Sequence, residues 1–151
     1  MKKFLILILF FFSVLIVTAQ SSVNAAFHSC EATVICAFPQ LLTGTNISPS
    51  DLQNIITQAR NDGIILANGT VNNREALAER VLIVLRRTEI IFNFGSESAG
   101  RGTLIGYIIE MSGNNSESHY ILAGTNRMPL FNPCNISSRI ISFQEVYVNA
   151  R

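Results

Sequence analysis

The sequence predicts an α+β fold, with helices in the first half of the mature chain packed against an antiparallel sheet formed by the second half. Apolar residues recur at helical spacing in the first half. In the second half, runs of β-branched and aromatic residues are separated by short turns rich in Gly and Asn. Helices that come first, followed by strands, are typical of an α+β domain.

The amino terminus has the two parts of a secretory signal peptide. Met1, Lys2 and Lys3 give a charged start, and residues 4–17 form the apolar run that follows. We place the signal at residues 1–25, with cleavage after Gln20 as the second choice, and a single domain at residues 26–151. The protein is therefore expected to be secreted or periplasmic. An N-terminal membrane anchor is the alternative, because the apolar run is only a little shorter than a spanning helix.

The charge composition limits the classes of partner expected for the mature chain. Lys2 and Lys3 are the chain's lysines, so the mature chain has nine arginines against ten acidic residues, a net charge of −1. Apart from Arg86 and Arg87, the arginines are dispersed. This pattern argues against nucleic acid as a partner and against stable membrane insertion after the signal is removed. The lack of a lysine also excludes Schiff-base chemistry.

The first predicted helix opens at Cys30 and is apolar on nearly every side. Cys30 shares one face with Val34 and Ala37 at helical spacing, and the other faces are also largely apolar. A helix of this kind belongs inside a core. We expect it to kink or stop near Phe38, because Pro39 removes a backbone donor.

Two more helices and a series of strands are predicted after it. Ser48 is placed to cap the second helix, with Pro49 at its first position and Gly63 at its end, and Asn72 or Asn73 caps the third. The strand-forming runs lie at residues 90–92, 103–111, 119–123, 128–133 and 140–148, the last of which supplies one or two strands.

Cys30 is the candidate nucleophile. On the first turn of a helix, unpaired backbone N–H groups and the positive end of the helix dipole favour a thiolate. The same N–H groups can stabilise an oxyanion. The alternative interpretation of Cys30 is a small apolar side chain that fills space in the core.

His119 and Asn132 complete a set of residues suited to cysteine acyl transfer. His119 begins one strand and Asn132 lies at the end of the next or its approach, so adjacent antiparallel strands can hold them side by side. The imidazole would take the thiol proton, and the amide would fix the orientation of the ring. Taken singly, His119 is more often a polar residue at the wet end of a sheet, and Asn132-Pro133 more often a turn.

The order of a Cys at the head of a buried helix, a His, and an Asn-Pro pair on neighbouring strands resembles the papain-like cysteine peptidase superfamily. It is similar in particular to small bacterial members related to the leader-peptide-cleaving domains of bacteriocin exporters, and to uncharacterised papain-like families of spirochaetes and phages. The supporting runs span most of the mature chain: Thr43-Gly44, Ile47-Ser48-Pro49-Ser50-Asp51-Leu52, Asp62-Gly63, Val71-Asn72-Asn73-Arg74-Glu75-Ala76-Leu77, Ser118-His119-Tyr120-Ile121-Leu122 and Phe131-Asn132-Pro133. The resemblance implies a papain-like fold and a secreted thiol protease. Its catalytic triad would be Cys30, His119 and Asn132.

The resemblance also points to candidates for the oxyanion hole. In such peptidases a Gln a few residues before the Cys supplies a side-chain donor, and here Asn24 stands six residues before Cys30. Asn24 remains in the mature chain only if cleavage follows Gln20. His28 is a second oxyanion candidate, or has no role. No paired Cys or His spacing typical of a metal site is present, so neither a metal nor a cofactor is expected.

The three cysteines form an odd set in an exported chain, so one thiol is left over from any pairing within it. A Cys36–Cys134 disulfide, with Cys30 as the leftover thiol, would account for the odd count. The sequence does not fix the pairing.

Two functions from different classes fit the sequence. The first is a secreted peptidase or amidase that forms a thioester on Cys30, and transfer of the acyl group to an amine would use the same residues. The second is a catalytically inactive exported domain of the same fold that binds a peptide or a cell-wall fragment. The first predicts a Cys30 sulfur within about 4 Å of the His119 ring. The second predicts Cys30 in a disulfide, or buried without a histidine partner.

Overall fold

Helices precede strands in the computed structural model, which describes residues 29–95, 102–112, 118–133 and 139–151. The predicted signal peptide, Asn24, His28 and Cys134 lie outside these residues. The elements are α1 (Cys30–Thr43), α2 (Pro49–Asn61), α3 (Arg74–Val84), β1 (Ile90–Phe94), β2 (Thr103–Ser112), β3 (Ser118–Ala123), β4 (Pro129–Phe131) and β5 (Ile140–Ala150). The predicted α+β class is confirmed.

The start of α1 is fixed by a buried serine that the sequence did not single out. The Ser29 hydroxyl accepts the N–H of Ala32 at 3.2 Å and donates to the carbonyl of Gly69 at 2.7 Å. A serine at this position satisfies one of the unpaired N–H groups of the first helical turn. Because the same hydroxyl also holds the Gly69 turn, the helix start is tied to a segment 40 residues away.

Helix α1 does not stop before Pro39, contrary to one of the two expectations for this proline. It continues to Thr43 and ends at Gly44, which has a φ of 64°. Gln40 supports this end of the helix. Its side-chain Nε2 donates to the carbonyl of Cys36 at 2.9 Å, and its Oε1 accepts the N–H of Ile47 at 3.0 Å. Tertiary burial and these hydrogen bonds thus outweigh the local cost of an internal proline.

The caps predicted for the other two helices are confirmed. Ser48 accepts the N–H of Asp51 at 3.1 Å at the start of α2. Asn73, rather than Asn72, accepts the N–H of Ala76 at 2.9 Å at the start of α3. Among the described residues, no helix is both long enough and apolar enough to cross a membrane.

The five strands form one antiparallel sheet in the order β1-β5-β2-β3-β4. The last strand in sequence is thus inserted between β1 and β2. One face of the sheet packs against the helices, and Ile108, Leu122 and Val146 belong to the same buried cluster as the apolar residues of α1. The other face has a smaller cluster of its own, which includes Tyr107 and Ile121.

Gly106 of β2 lies close to Phe38 of α1 and to the backbone of Ala123, and we expect it not to tolerate a side chain. A Cβ at this position would lie 2.4 Å from the carbonyl oxygen of Ala123 and 3.3 Å from Cε1 of Phe38. Gly106→Ala should therefore lower the free energy of unfolding by about 1–3 kcal/mol. Urea denaturation measures this. Thr103→Ala, at an exposed position of the same strand, is the control and should change it by less than about 0.5 kcal/mol. Equal stabilities of the two variants would contradict the expectation.

Candidate active site

The structure brings Cys30 and His119 together from opposite halves of the chain. The Cys30 sulfur lies 4.0 Å from Nδ1 of His119, and the two residues are 89 positions apart in sequence. Cys30 is the first residue of α1, and His119 is the second residue of β3. Both are half-buried, so the pair lies at the margin of the core rather than within it.

The expected cysteine pairing is wrong. Cys36 is a free, buried thiol, whereas Cys30 is disulfide-bonded. Cys134, the remaining cysteine of the chain, lies outside the described residues. The positions on α1 explain the difference. Cys36 is only 1% exposed and lies in the apolar cluster between helices and sheet, whereas Cys30 lies at the half-buried helix start.

Burial also makes Cys36 a poor nucleophile. Desolvation raises the pKa of its thiol to about 12, because the apolar core cannot stabilise a thiolate. Cys36 is therefore a structural residue, and in the intact protein it should not compete with Cys30 for electrophiles.

A buried ion pair beside Cys30 was not predicted from the sequence. Glu31 is only 3% exposed, and its carboxylate accepts the backbone N–H of Val71 at 2.9 Å and Nε of Arg74 at 2.8 Å. A second nitrogen of Arg74 also contacts Glu31, and a third donates to the side-chain oxygen of Gln144. The sequence signal was an acidic residue in an otherwise apolar helix, which needs a partner once buried.

This ion pair joins three parts of the fold at the candidate site. Glu31 belongs to α1, Arg74 opens α3, and Gln144 lies on β5. Because Glu31 follows Cys30 directly, its negative charge would oppose a thiolate at Cys30. The Arg74 guanidinium offsets that charge.

Asn132 directly follows β4, which pairs with β3, the strand that carries His119. Phe131 of β4 pairs with Leu122 of β3. Asn132 is half-buried. The oxyanion candidates Asn24 and His28 lie outside the described residues.

A cavity of about 300 Å³ has Arg74 of the Glu31–Arg74 ion pair in its wall. Its lining includes Arg74, which contacts Glu31, and Tyr120, which follows His119. Its base is formed by side chains that the strand register places on the helix-covered face of the sheet, among them Glu110 and Gln144. Among the described residues, no group of three His, Cys, Asp or Glu side chains could hold a metal ion.

The chain matches no family model, and no match was found among curated proteins or solved structures. Across the described residues, the observed architecture is three helices on one antiparallel five-stranded sheet.

Proposed function

We propose that this chain is a papain-like cysteine hydrolase acting on peptide or amide bonds, with Cys30 as the nucleophile in the reduced protein. The observation that carries the proposal is the 4.0 Å distance between the Cys30 sulfur and Nδ1 of His119. This is longer than a formed catalytic hydrogen bond, as is common where no substrate is bound. Activation of a thiol requires a base close to the sulfur, and here the base comes from a distant part of the chain to the start of α1.

The surroundings of Cys30 favour its ionised form after reduction. The positive end of the α1 dipole stabilises a thiolate on the first turn. The imidazolium of His119 would add a second stabilising charge, and the nearby carboxylate of Glu31 is already held by Arg74.

The reaction would follow the usual course of cysteine acyl transfer. The Cys30 thiolate attacks the carbonyl carbon, and the His119 imidazolium gives its proton to the departing amine, which leaves a thioester on the sulfur. His119 then takes a proton from water, which attacks the thioester, so the acid product leaves and Cys30 is restored. Asn132 would orient the ring through Nε2, since Nδ1 faces the sulfur.

The disulfide at Cys30 makes this activity conditional on reduction. A sulfur in a disulfide cannot act as the nucleophile, because it has no thiolate form. A dithiol reductant would attack the partner sulfur, form its own disulfide, and leave two cysteine thiols on the protein. Cys134→Ser tests Cys134 as that partner, because Cys36 is free and the chain has three cysteines.

The second candidate function is an exported binding domain without catalytic activity. The disulfide at Cys30 favours it, since in an oxidising compartment the bond would persist and serve stability. The same cleft would then hold a peptide or cell-wall fragment without cleaving it. The two candidates differ in what happens when the bond is opened.

The experiment that separates them measures cleavage of a mixed peptide library by mass spectrometry, with and without a dithiol reductant. We expect cleavage by the reduced wild-type protein and none by the oxidised one. Cys134→Ser should cleave without any reductant, because its Cys30 has no partner to bond with, and Cys30→Ala should be inactive in both conditions. If neither the reduced wild type nor Cys134→Ser cleaves any peptide, the hydrolase proposal fails and the binding domain stands.

A further inference from the structure

The cavity lined by Arg74, Glu110 and Tyr120 lies against one face of the sheet. Its base consists of side chains from β2, β3 and β5 that share the helix-covered face, because Glu110 pairs with both Tyr120 and Ser142, and Ile108 pairs with Gln144. Arg74, at the start of α3, forms part of the cavity wall. A volume of about 300 Å³ suits one side chain of a ligand rather than a large molecule.

The two charged residues that line the described part of the cavity, Arg74 and Glu110, have different environments. The positive charge of Arg74 is offset by Glu31, which is buried behind it. Glu110 has a different environment. Its Oε1 accepts the Ser118 hydroxyl at 2.7 Å and its Oε2 accepts the Ser142 hydroxyl at 3.1 Å, and none of the ion pairs among the described residues includes it. Among the described residues that line the cavity, Glu110 is therefore the carboxylate that no ion pair between described residues neutralises.

The geometry around Glu110 selects the kind of cation. A carboxylate has about four acceptor positions, and each oxygen here uses one for a serine hydroxyl. One acceptor position remains on each oxygen, which matches the two parallel N–H groups of a guanidinium. Tyr120 provides an aromatic wall on which a planar guanidinium can stack. Desolvation, then the charges of Glu31 and Glu110, raise the pKa of Tyr120, while Arg74 lowers it, in agreement with a partly enclosed site.

We propose that this cavity binds the side chain of an arginine residue in a peptide, with Glu110 as its anionic partner and Ser118 and Ser142 as positioning residues. As a specificity pocket for cleavage the idea rests on the proposed hydrolase function, but arginine binding as such does not. Among the described residues, the cavity is linked to the candidate site through Arg74, which contacts Glu31, the residue after Cys30.

The test measures peptide binding to the oxidised full mature chain, in which Cys30 cannot react. Isothermal titration calorimetry would compare acetyl-Gly-Arg-Gly-amide with the same peptide containing citrulline, which keeps the shape of arginine but lacks its charge. We expect the arginine peptide to bind at least tenfold more tightly than the citrulline peptide. Glu110→Gln should remove this preference. Glu145→Gln, a carboxylate whose partner Tyr107 belongs to the opposite face of the same sheet, should retain it.

The proposal would be refuted if the arginine peptide showed no measurable binding at concentrations up to about 10 mM. Equal affinity for the arginine and citrulline peptides would also refute it. Ser142→Ala keeps the test valid if Glu110→Gln does not fold, and should weaken arginine binding several-fold. Each of these outcomes is independent of peptide cleavage, so a failed pocket and a failed hydrolase are told apart.

Discussion

Replacing His119 by alanine is expected to lower peptide hydrolysis by the reduced protein at least about 100-fold, because general acid and base catalysis would be lost. It should also slow the alkylation of Cys30 by iodoacetamide at pH 6 by about tenfold. A thiol with an ordinary pKa of about 8.5 is scarcely ionised at that pH, although the lower nucleophilicity of a stabilised thiolate reduces the difference. Labelling of the reduced protein at a series of pH values, followed by peptide mass spectrometry, measures the effect. In the His119→Ala variant, the inflection of the plot of alkylation rate against pH should move to higher pH, towards that of a free thiol.

Two controls belong to the alkylation experiment. Cys36 is an internal reference, since its pKa of about 12 and its burial should leave it unlabelled until the protein unfolds. Thr125→Ala changes an exposed residue in the turn after β3 and should leave the labelling of Cys30 unaltered. If wild-type Cys30 reacts no faster at pH 6 than in the His119→Ala variant, the imidazole does not activate the sulfur.

Replacing Arg74 by alanine is expected to lower the free energy of unfolding by about 3–5 kcal/mol, because it leaves the buried carboxylate of Glu31 without its counter-charge. Glu31 is only 3% exposed, so water cannot take the place of Arg74 in stabilising its charge. The loss should appear as a lower midpoint in urea denaturation. Arg74 also contacts Gln144 on β5, so the variant should loosen the cavity wall as well.

The same helix offers a matched control for this variant. Arg80 of α3 forms an ion pair with Asp62, whose side chain is 55% exposed. Exposed pairs contribute little, so Arg80→Ala should cost less than about 1 kcal/mol. Similar losses for the two variants would mean that the Glu31–Arg74 pair is not the connection between helices and sheet that its burial indicates.

The local parts of the fold could be predicted because they depend on residues close in sequence. Ser48 and Asn73 cap helices through N–H groups three residues ahead. The strands follow from β-branched runs and short turns. The continuation of α1 past Pro39 could not be predicted, because it depends on the hydrogen bonds of Gln40 and on the surrounding core.

The candidate site was predicted in part, and the reason lies in the range of the interactions. Cys30 and His119 could be predicted as site residues because a Cys at a helix start and a His at a strand start each suit only a few kinds of chemistry. The partner of Glu31 could not be predicted, because the chain has nine arginines and only tertiary packing brings Arg74 to the carboxylate. The same holds for Glu110, whose two serine donors come from β3 and β5.

By itself, the sequence determined the α+β class, the order of helices and strands, and the residue types from which a thiol site could be made. These follow from periodicity and capping, which act over a few residues. Only the tertiary structure decided which cysteine is buried, which one is disulfide-bonded, and that the Cys30 sulfur and the His119 ring lie 4.0 Å apart. Such contacts join positions scores of residues apart, and the chain specifies them through the packing of the whole core rather than through any local pattern.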